Sequence, residues 1–506
     1  MDNNPPQPDS GFSTKSDQKT EWALRRSIAE GSLAAVMGNL AGGVFLTGFA
    51  LSFGATEFHI GLLSSLPPLI SLVQLFTPSL LRRFGGKRKE LTIATIGIAR
   101  LLWLLLVILP FLFFLHQSNV PLWTILGIIC ISTGLNAIGG ISWLSWIGEL
   151  VPRNRFGRYF SSRNLNNGIV GMVTAMAGGI AFDLWKKNTP TSYDIFGFAG
   201  IFFIGLVFGM LSIFYMKGIP EPGLPMPAKH ITPWKEWITP FRDKNFRWFI
   251  IARMFWVSSV NIAAPYFSVY MIKNLKLDYS YIQFTNLIAT AGALYCMRFW
   301  GRLIDHFGNK PLLILSNVMK GFYPLGWLLV TPTDYWIVLP LVQLLCCFDS
   351  GINLSVSNLL LKLSPKGNNT AYLATYTACI NLSLAVSPFI GGWMVTRFAQ
   401  HDMFTFGSYQ VEALKVLFFI SGISRLISMP VEYMVHEHRT ASLGHMMRVL
   451  REVKGFVPDI SELNAAVSFW FAPVNDMVYA VRWRSRRFRN KIIDLVSDQK
   501  DGESQE

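Results

Sequence analysis

Residues Ser32 to Gly54 read SLAAVMGNLAGGVFLTGFALSFG, and this stretch contains no charged side chain. A helix needs about 20 mostly apolar residues to cross the hydrocarbon core of a bilayer, so the stretch is long enough to span a membrane. Phe58 to Leu81 follows and has His59 as its single ionisable residue. These two segments already predict an integral membrane protein.

Ten more apolar segments follow, and a polar segment at 217–245 divides the total of twelve into two groups of six. The predicted spans are Ser32 to Gly54, Phe58 to Leu81, Leu91 to Leu115, Pro121 to Val151, Asn167 to Trp185, Ile195 to Met216, Phe249 to Ile272, Ile282 to Trp300, Pro311 to Val330, Tyr335 to Leu361, Ala371 to Val395 and Ala413 to Met434.

The composition supports a multi-pass membrane protein. Charged residues make up 15% of the chain and hydrophobic residues 51%, whereas a soluble domain carries about 25% charged residues. The five cysteines lie in apolar runs without a Cys-x-x-Cys pair, which argues against a disulfide framework or a zinc site. We therefore expect no metal and no cofactor.

The net charge of +15 is concentrated in particular loops. Lysine and arginine follow the even-numbered spans, as at Arg82, Arg83, Lys87, Arg153, Arg155 and Lys229, and are scarce in the opposite loops. Because cytoplasmic loops are rich in these residues, both termini are predicted to be cytoplasmic. Anionic lipids are then the expected partners of the basic loops and of the tail, where 482–489 predicts an amphipathic helix, and nucleic acid is not expected.

Five regions are predicted along the chain. Residues 1–28 form a disordered cytoplasmic tail, 29–216 a six-helix bundle, 217–245 a cytoplasmic central loop, 246–434 a second six-helix bundle, and 435–506 a basic cytoplasmic tail. Shifting the chain by 213 residues places Asn136 on Asp349 and Tyr159 on Tyr372, which indicates that the two bundles are repeats.

The loop between the predicted spans 8 and 9 reads GRLIDHFGNK over residues 301–310. It is similar to the G-x-x-x-D-x-x-G-x-[RK] loop of the major facilitator superfamily. The resemblance implies an all-α fold of twelve transmembrane helices, arranged as two six-helix repeats around a central cavity. It also implies a cytoplasmic gating loop formed by Gly301, Arg302, Asp305, Gly308 and Lys310, with Gly85 and Lys87 as first-half equivalents. The first-half copy departs from the pattern, because Arg82 stands at the position of Asp305.

Polar and ionisable residues at membrane depth are costly and therefore mark candidate solute or ion pathways. Asp349 is the clearest, near the middle of span 10. The resemblance implies that spans 1, 4, 7 and 10 line the cavity. The candidate pathway residues are Asp349, Asn136, Asn261, Asn353, Asn39, Lys320, Arg253 and Glu149.

The chemistry of Asp349 has two interpretations of equal weight. A desolvated carboxyl would suit reversible protonation, whereas a pair with Lys320 at similar depth would be structural. Arg253 and Glu149 lie near predicted cytoplasmic ends, where a structural role is favoured over a functional one.

The predicted function is a secondary transporter that moves a small solute by alternating access, with coupling to protons left open. We expect it in a bacterial inner membrane. The chain has no G-x-x-x-x-G-K-[ST], H-E-x-x-H or G-x-S-x-G motif, so an enzyme is not expected. A non-transporting membrane scaffold or assembly factor and a lipid or lysolipid translocator remain as alternatives.

Overall fold

A computed structural model describes residues 15–113, 120–152, 155–221, 239–365, 369–400, 405–406, 409–410, 412–437 and 444–446. Within these ranges the chain is almost entirely helical. The exception is a small antiparallel hairpin formed by β1 (Thr405–Phe406) and β2 (Tyr409–Gln410).

Six spans form the N-terminal half. Span 1 is Lys15–Leu40 and Gly43–Ser52; span 2 is Glu57–Ile70, the 3₁₀ turns Ser71–Phe76 and the helix Thr77–Arg83; span 3 is Arg88–Leu101 and Trp103–Phe113; span 4 is Val120–Leu150; span 5 is Phe156–Asn188; span 6 is Asp194–Lys217, after the 3₁₀ turn Thr191–Tyr193.

Six spans form the C-terminal half, after the 3₁₀ turn Thr239–Arg242. Span 7 is Lys244–Asn261, Ala264–Val269 and the π-helical Tyr270–Asn274; span 8 is Tyr279–Phe307; span 9 is Asn309–Gly326 and the 3₁₀ turn Trp327–Leu329; span 10 is Tyr335–Leu344 and Cys347–Leu363; span 11 is Asn369–Gln400; span 12 is Ala413–Ile427 and Met429–Tyr433.

Eleven of these twelve segments in the described chain are long and apolar enough to cross a membrane. Span 8 is the remaining one: its helix Tyr279–Phe307 has 29 residues but is more polar. Large apolar side chains such as Phe111 and Val173 are more than 60% exposed, as expected for surfaces that face lipid. The predicted all-α fold of a multi-pass membrane protein is confirmed.

Span 1 begins earlier than predicted. Its helix starts at Lys15, inside the segment 1–28 that the sequence assigns to a disordered tail. The physical reason is packing and hydrogen bonding: Ala23 is fully buried, and Arg26 Nε donates to the Tyr215 carbonyl at 2.8 Å. Polar composition alone does not reveal such contacts with a distant helix.

Span 5 also begins before its predicted start at Asn167, because the helix runs from Phe156. Asn167 therefore lies well inside a membrane helix. The predicted amphipathic helix of the tail at 482–489 lies outside the described residues.

The two halves contact each other at one end of the bundle, which we call the sealed end. There Lys273 Nζ lies 2.7 Å from Glu57 Oε1, and the Asp183 carboxylate accepts from the backbone N–H of Tyr279 at 2.9 Å. Between pairs of described residues, the hydrogen bonds and ion pairs that join the halves all lie at this end.

An aromatic contact closes the sealed end as well. The Tyr279 ring, at the start of span 8, packs on three rings of the first half: Phe45, Phe182 and Phe198, at centroid distances of 6.0, 4.6 and 5.6 Å. Glycines allow close helix approach, since a Cβ at Gly61 of span 2 would lie 2.7 Å from the Pro388 carbonyl oxygen of span 11.

Candidate functional site

A cavity of about 350 Å³ lies between the two halves. It is lined by residues 38–44 of span 1, residues 167–175 of span 5 and residues 283–290 of span 8. Its polar lining consists of Asn39, Asn167, Gln283, Asn286 and Thr290, and no charged side chain lines it within the described chain. Both halves therefore border the cavity, and the hydrogen-bonding side chains that face it are uncharged.

Span 1 is broken where it borders the cavity. The helix Lys15–Leu40 ends before a glycine pair, and Gly43 adopts a positive φ of 53°, which glycine tolerates without strain. The last backbone bond before the break runs from the Ala41 N–H to the Met37 carbonyl at 2.8 Å, and the first one after it runs from the Leu46 N–H to the Gly42 carbonyl at 3.4 Å.

The break changes which backbone groups are available. In the described chain, the N–H groups of Gly42 and Gly43 have no backbone acceptor, and the carbonyls of Gly38 and Asn39 have no backbone donor. Broken membrane helices of this kind occur where the backbone lines a cavity. Span 1 therefore presents both donors and acceptors at the site.

The carboxamides around the cavity are only partly satisfied by protein. Asn39 Nδ2 donates to the Ala35 carbonyl at 2.8 Å, and Asn286 Nδ2 lies 3.4 Å from Gln283 Oε1. Asn167 Oδ1 is buried and lacks a partner among the described atoms. Buried polar atoms without a partner call for water or a ligand.

Of the predicted pathway residues, Asn39 lies in this cavity lining. Asn136 and Asn353 are exposed on spans 4 and 10, and Asn136 Nδ2 donates to the Ser132 carbonyl of its own helix at 3.0 Å. Asn261 is the last residue of the first helix of span 7, where its Nδ2 donates to the Val257 carbonyl at 2.8 Å. The structure thus brings one predicted asparagine together with a carboxamide that was not predicted, Asn167.

Lys320 and Asp349 form an ion pair, with Lys320 Nζ 2.8 Å from Asp349 Oδ2. The lysine is also 3.0 Å from Cys346 Sγ and lies over the Tyr323 ring, 4.1 Å from its centroid. The pair is asymmetric, because the Lys320 side chain is 8% exposed and that of Asp349 is 43% exposed. Asp349 therefore keeps an accessible face despite its partner.

Arg253 pairs within the second half and is not among the residues that line the cavity. Its guanidinium lies 3.5 Å from Glu432 Oε1, and Asn317 Nδ2 lies 2.5 Å from both carboxylate oxygens. Arg253 and Glu432 are at least 95% buried. This buried contact joins spans 7, 9 and 12.

The first half contains a buried charged cluster that sequence reasoning missed. The Glu30 carboxylate lies 3.1 Å from Arg163, whose guanidinium lies 4.2 Å from the centre of the Trp143 ring. Arg100 donates to the Gly209 carbonyl at 2.5 Å and to the Ser212 hydroxyl. The signal for this cluster in the sequence is Glu30, a charged residue two positions before the first apolar run.

The predicted gating loop contacts span 12 through Lys310. Gly308 has φ 91°, and Lys310 Nζ donates to the Tyr433 carbonyl at 2.9 Å. Asp305 is exposed and takes part in no ion pair with another described residue. Gly301 and Arg302 are half-buried and exposed, respectively.

Two glutamates after spans 6 and 12 cap the helices that follow the loops. Glu437 accepts from the backbone N–H groups of Asn309 and Lys310 at 3.0 and 2.8 Å. Glu221 accepts from those of Arg88 and Lys89 at 2.7 and 3.2 Å. A carboxylate at the first turn satisfies open N–H donors and opposes the positive end of the helix dipole.

The first-half loop is built in a similar way. Gly85 has a positive φ of 64°, and Lys87 lies 2.9 Å from Glu90 in an exposed ion pair. Glu149 pairs with the buried Arg88, which ties span 4 to span 3. Among the described residues, no group of three or more His, Cys, Asp or Glu could hold a metal ion.

A family model described as Major Facilitator Superfamily matches residues 31–388 and 257–442. The multi-drug resistance efflux pump PmrA of Streptococcus pneumoniae is 24% identical over 151 residues, which cover 29% of this chain and 37% of the pump. The chain thus aligns with little more than a third of the length of that relative.

Two solved structures share the fold. The nucleoside transporter NupG superposes with a TM-score of 0.57 at 13% identity, covering 83% of this chain and 99% of NupG. A bacterial homologue of the human lysosomal transporter Spinster, in an inward-facing and occupied conformation, gives 0.59 at 14% identity, covering 84% and 97%.

Proposed function

The chain belongs to the Major Facilitator Superfamily, and on that premise we propose that it is a secondary transporter that moves a small solute by alternating access. The observation that carries the proposal is the cavity between the halves, lined by spans 1, 5 and 8. Among the described residues, the hydrogen bonds and the ion pair between the halves lie at the sealed end, which fits a carrier in one of its two states.

In this mechanism the solute enters from the end opposite the sealed end and binds in the cavity. The halves then separate at Lys273, Glu57 and Tyr279 and approach each other at the opposite end. Among the described residues, the contacts to be broken there are one ion pair, two backbone hydrogen bonds to Asp183 and the packing of the Tyr279 ring on the first half.

The orientation follows from charge. The basic loops at Arg82, Arg83 and Arg155 lie at the end opposite the sealed end, so the positive-inside rule predicts that this end is cytoplasmic, as are both termini. Anionic lipids would bind at these loops. The bacterial relative favours a bacterial plasma membrane.

Proton coupling is a second part of the proposal, and it rests on Asp349. Its side chain is 43% exposed while its partner Lys320 is buried, and protonation of the carboxylate would release the lysine. Flux of a bound solute into proteoliposomes, with and without a pH gradient, tests this. Equal flux in both cases contradicts coupling.

A test of alternating access needs no knowledge of the solute. In a variant with the five free cysteines replaced, Thr290→Cys places one thiol in the cavity and Thr333→Cys places one in the exposed loop between spans 9 and 10. A membrane-impermeant methanethiosulfonate reagent is applied to vesicles of each orientation. We expect the Thr290→Cys thiol to react from both sides and the Thr333→Cys thiol from one.

The competing scaffold hypothesis gives a different result in that experiment. A scaffold has no need to open at both ends, so the Thr290→Cys thiol would react from one side alone. That outcome, with normal abundance and melting temperature, would contradict the carrier proposal.

A further inference from the structure

The cavity lining points to the chemical class of the solute, an inference that rests on the proposed carrier function. The side chains that carry hydrogen-bonding groups there are carboxamides and a hydroxyl. Each carboxamide offers two donors and an acceptor oxygen. A charged solute would lose its hydration without meeting an opposite charge, which costs several kcal/mol.

The broken helix adds backbone groups of both kinds. The carbonyls of Gly38 and Asn39 accept, and the N–H groups of Gly42 and Gly43 donate, because none of the four has a backbone partner among the described residues. A solute that both donates and accepts can satisfy them together. A hydroxyl or an amide does this with a single group, whereas a carboxylate only accepts and an ammonium only donates.

One buried atom requires a donor from outside the described protein groups. Asn167 lines the cavity, but its Oδ1 is buried behind the cavity surface and has no hydrogen-bond partner in the described chain. Leaving such an acceptor unsatisfied costs about 1–3 kcal/mol. Rotation of the Asn167 carboxamide toward the cavity would let a solute hydroxyl or N–H, or a water that the solute displaces, supply the missing donor.

Glycines of spans 1 and 5 leave space for the solute beside the backbone. A Cβ at Gly38 or at Gly168 would meet no atom within 4 Å, so the backbone can be approached closely at these positions. The volume of about 350 Å³ lies at the small end of the range of roughly 300–1,000 Å³ for ligand pockets. That volume suits a solute of the size of a nucleoside or a disaccharide.

We propose that the cavity binds an uncharged solute rich in hydroxyl or amide groups, held by Asn39, Asn167 and the backbone of the span 1 break. Gln283 and Asn286 complete the ring from the second half. Because span 8 belongs to the other half, binding of the solute bridges the two rigid bodies of the carrier.

The test uses the purified full-length protein in detergent and measures its melting temperature with defined solutes. The uncharged probes are uridine, adenosine, maltose and glucose, and the charged probes are glutamate, citrate and spermidine. We expect at least one uncharged probe to raise the melting temperature in a saturable manner, and no charged probe to do so.

Three variants connect that shift to the cavity. Gly168→Met fills the cavity without a clash at its Cβ and should abolish the shift. Gly200→Met is the matched control, since a Cβ there also meets no atom within 4 Å but the residue is on span 6, which does not line the cavity. Asn167→Ala removes one hydrogen bond and should weaken binding about 3- to 10-fold.

Two results would overturn the proposal. One is stabilisation by a charged probe that Gly168→Met abolishes, and the other is the absence of any shift with all uncharged probes. Labelling of the Thr290→Cys thiol then separates the two proposals: reaction from both sides leaves the carrier function standing while the solute class falls, and reaction from one side removes both.

Discussion

Lys273 Nζ lies 2.7 Å from Glu57 Oε1, and this ion pair ties the end of span 7 to the start of span 2. It is the described ion pair that joins the two halves of the molecule. The side chains are 41% and 23% exposed, so the pair contributes no more than about 0.2–1 kcal/mol. A contact of this strength can favour the conformation that is closed at the sealed end and still allow that end to open.

Lys273→Ala should make the sealed end open more often. A loss of about 0.2–1 kcal/mol shifts the two populations by roughly 1.4- to 5-fold. The measurement is the rate at which the Thr290→Cys thiol reacts from the sealed side. Lys187→Ala, which removes an exposed lysine at the same end, should leave the rate unchanged, and equal rates in both variants would argue against a role for the pair.

Gly61→Ala should weaken the same closure by crowding. Its Cβ would lie 2.7 Å from the Pro388 carbonyl oxygen and from the Tyr266 hydroxyl, so backbone must shift, at about 1–3 kcal/mol. We expect faster labelling of the Thr290→Cys thiol from the sealed side, with the helical content kept. Gly97→Ala is the control, because a Cβ there meets no atom within 4 Å. A wild-type labelling rate in Gly61→Ala would contradict the prediction.

Asp349→Asn should lower the melting temperature, because it leaves the buried Lys320 ammonium without its partner. The loss should be smaller than the about 3–5 kcal/mol for a fully buried pair, since Asp349 is 43% exposed. The double variant Lys320→Met with Asp349→Asn should regain stability. Flux and its pH dependence in that stable double variant decide the role of Asp349: wild-type values would assign the pair to structure alone.

Glu437→Gln should destabilise the protein in a pH-dependent way. Burial acts to raise the pKa of Glu437, but hydrogen bonds from Lys362, Asn309 and the backbone outweigh it and hold the pKa below the usual 4.5. A depressed pKa contributes stability above pH 4.5 that is lost as the pH falls through the folded-state pKa.

The melting-temperature difference between wild type and Glu437→Gln should therefore be largest near pH 7 and should shrink below pH 4.5. At neutral pH we expect a loss of about 1.5–3 kcal/mol, the contribution of hydrogen bonds to a charged group. Glu90→Gln, whose pair with Lys87 is 60% exposed, is the control with little effect. A constant difference across this pH range would contradict the assignment.

Much of the architecture can be predicted from sequence because lipid imposes simple rules. Long uncharged stretches must be helices, and basic loops mark one side. The pairing of Lys320 with Asp349 was also within reach, since two ionisable residues at similar depth are expected to neutralise each other.

The cavity could not be predicted, because it depends on how three helices distant in sequence meet. Asn39 stands out as a polar residue in the middle of an apolar run, whereas the hydropathy pattern predicts Asn167 as the first residue of span 5. The helix actually begins at Phe156, which places Asn167 inside the bundle. The polar residues between Asn164 and Gly168 lower the local hydropathy, so the hydropathy pattern does not show that the helix begins earlier.

The sequence reveals the repeat, but it does not reveal which contacts the two halves have in common. Shifting the chain by 213 residues suggested Asn136 and Asp349 as counterparts. The clearer counterparts are Glu221 and Glu437, which cap equivalent helices in the two halves. A short-range cap of this kind is recognisable only when the end of one helix is known to lie beside the start of another.

The polar character of span 8 has a consequence for how the protein is made. The residues of its helix that border the cavity, Gln283, Asn286 and Thr290, also make it the least suited of the spans to enter lipid unaided. We expect the translocation machinery to retain span 8 until span 9 emerges from the ribosome, so that both are released as a pair. Glycosylation mapping of nascent chains truncated before and after span 9 would reveal this, and full insertion of span 8 in the shorter chain would refute it.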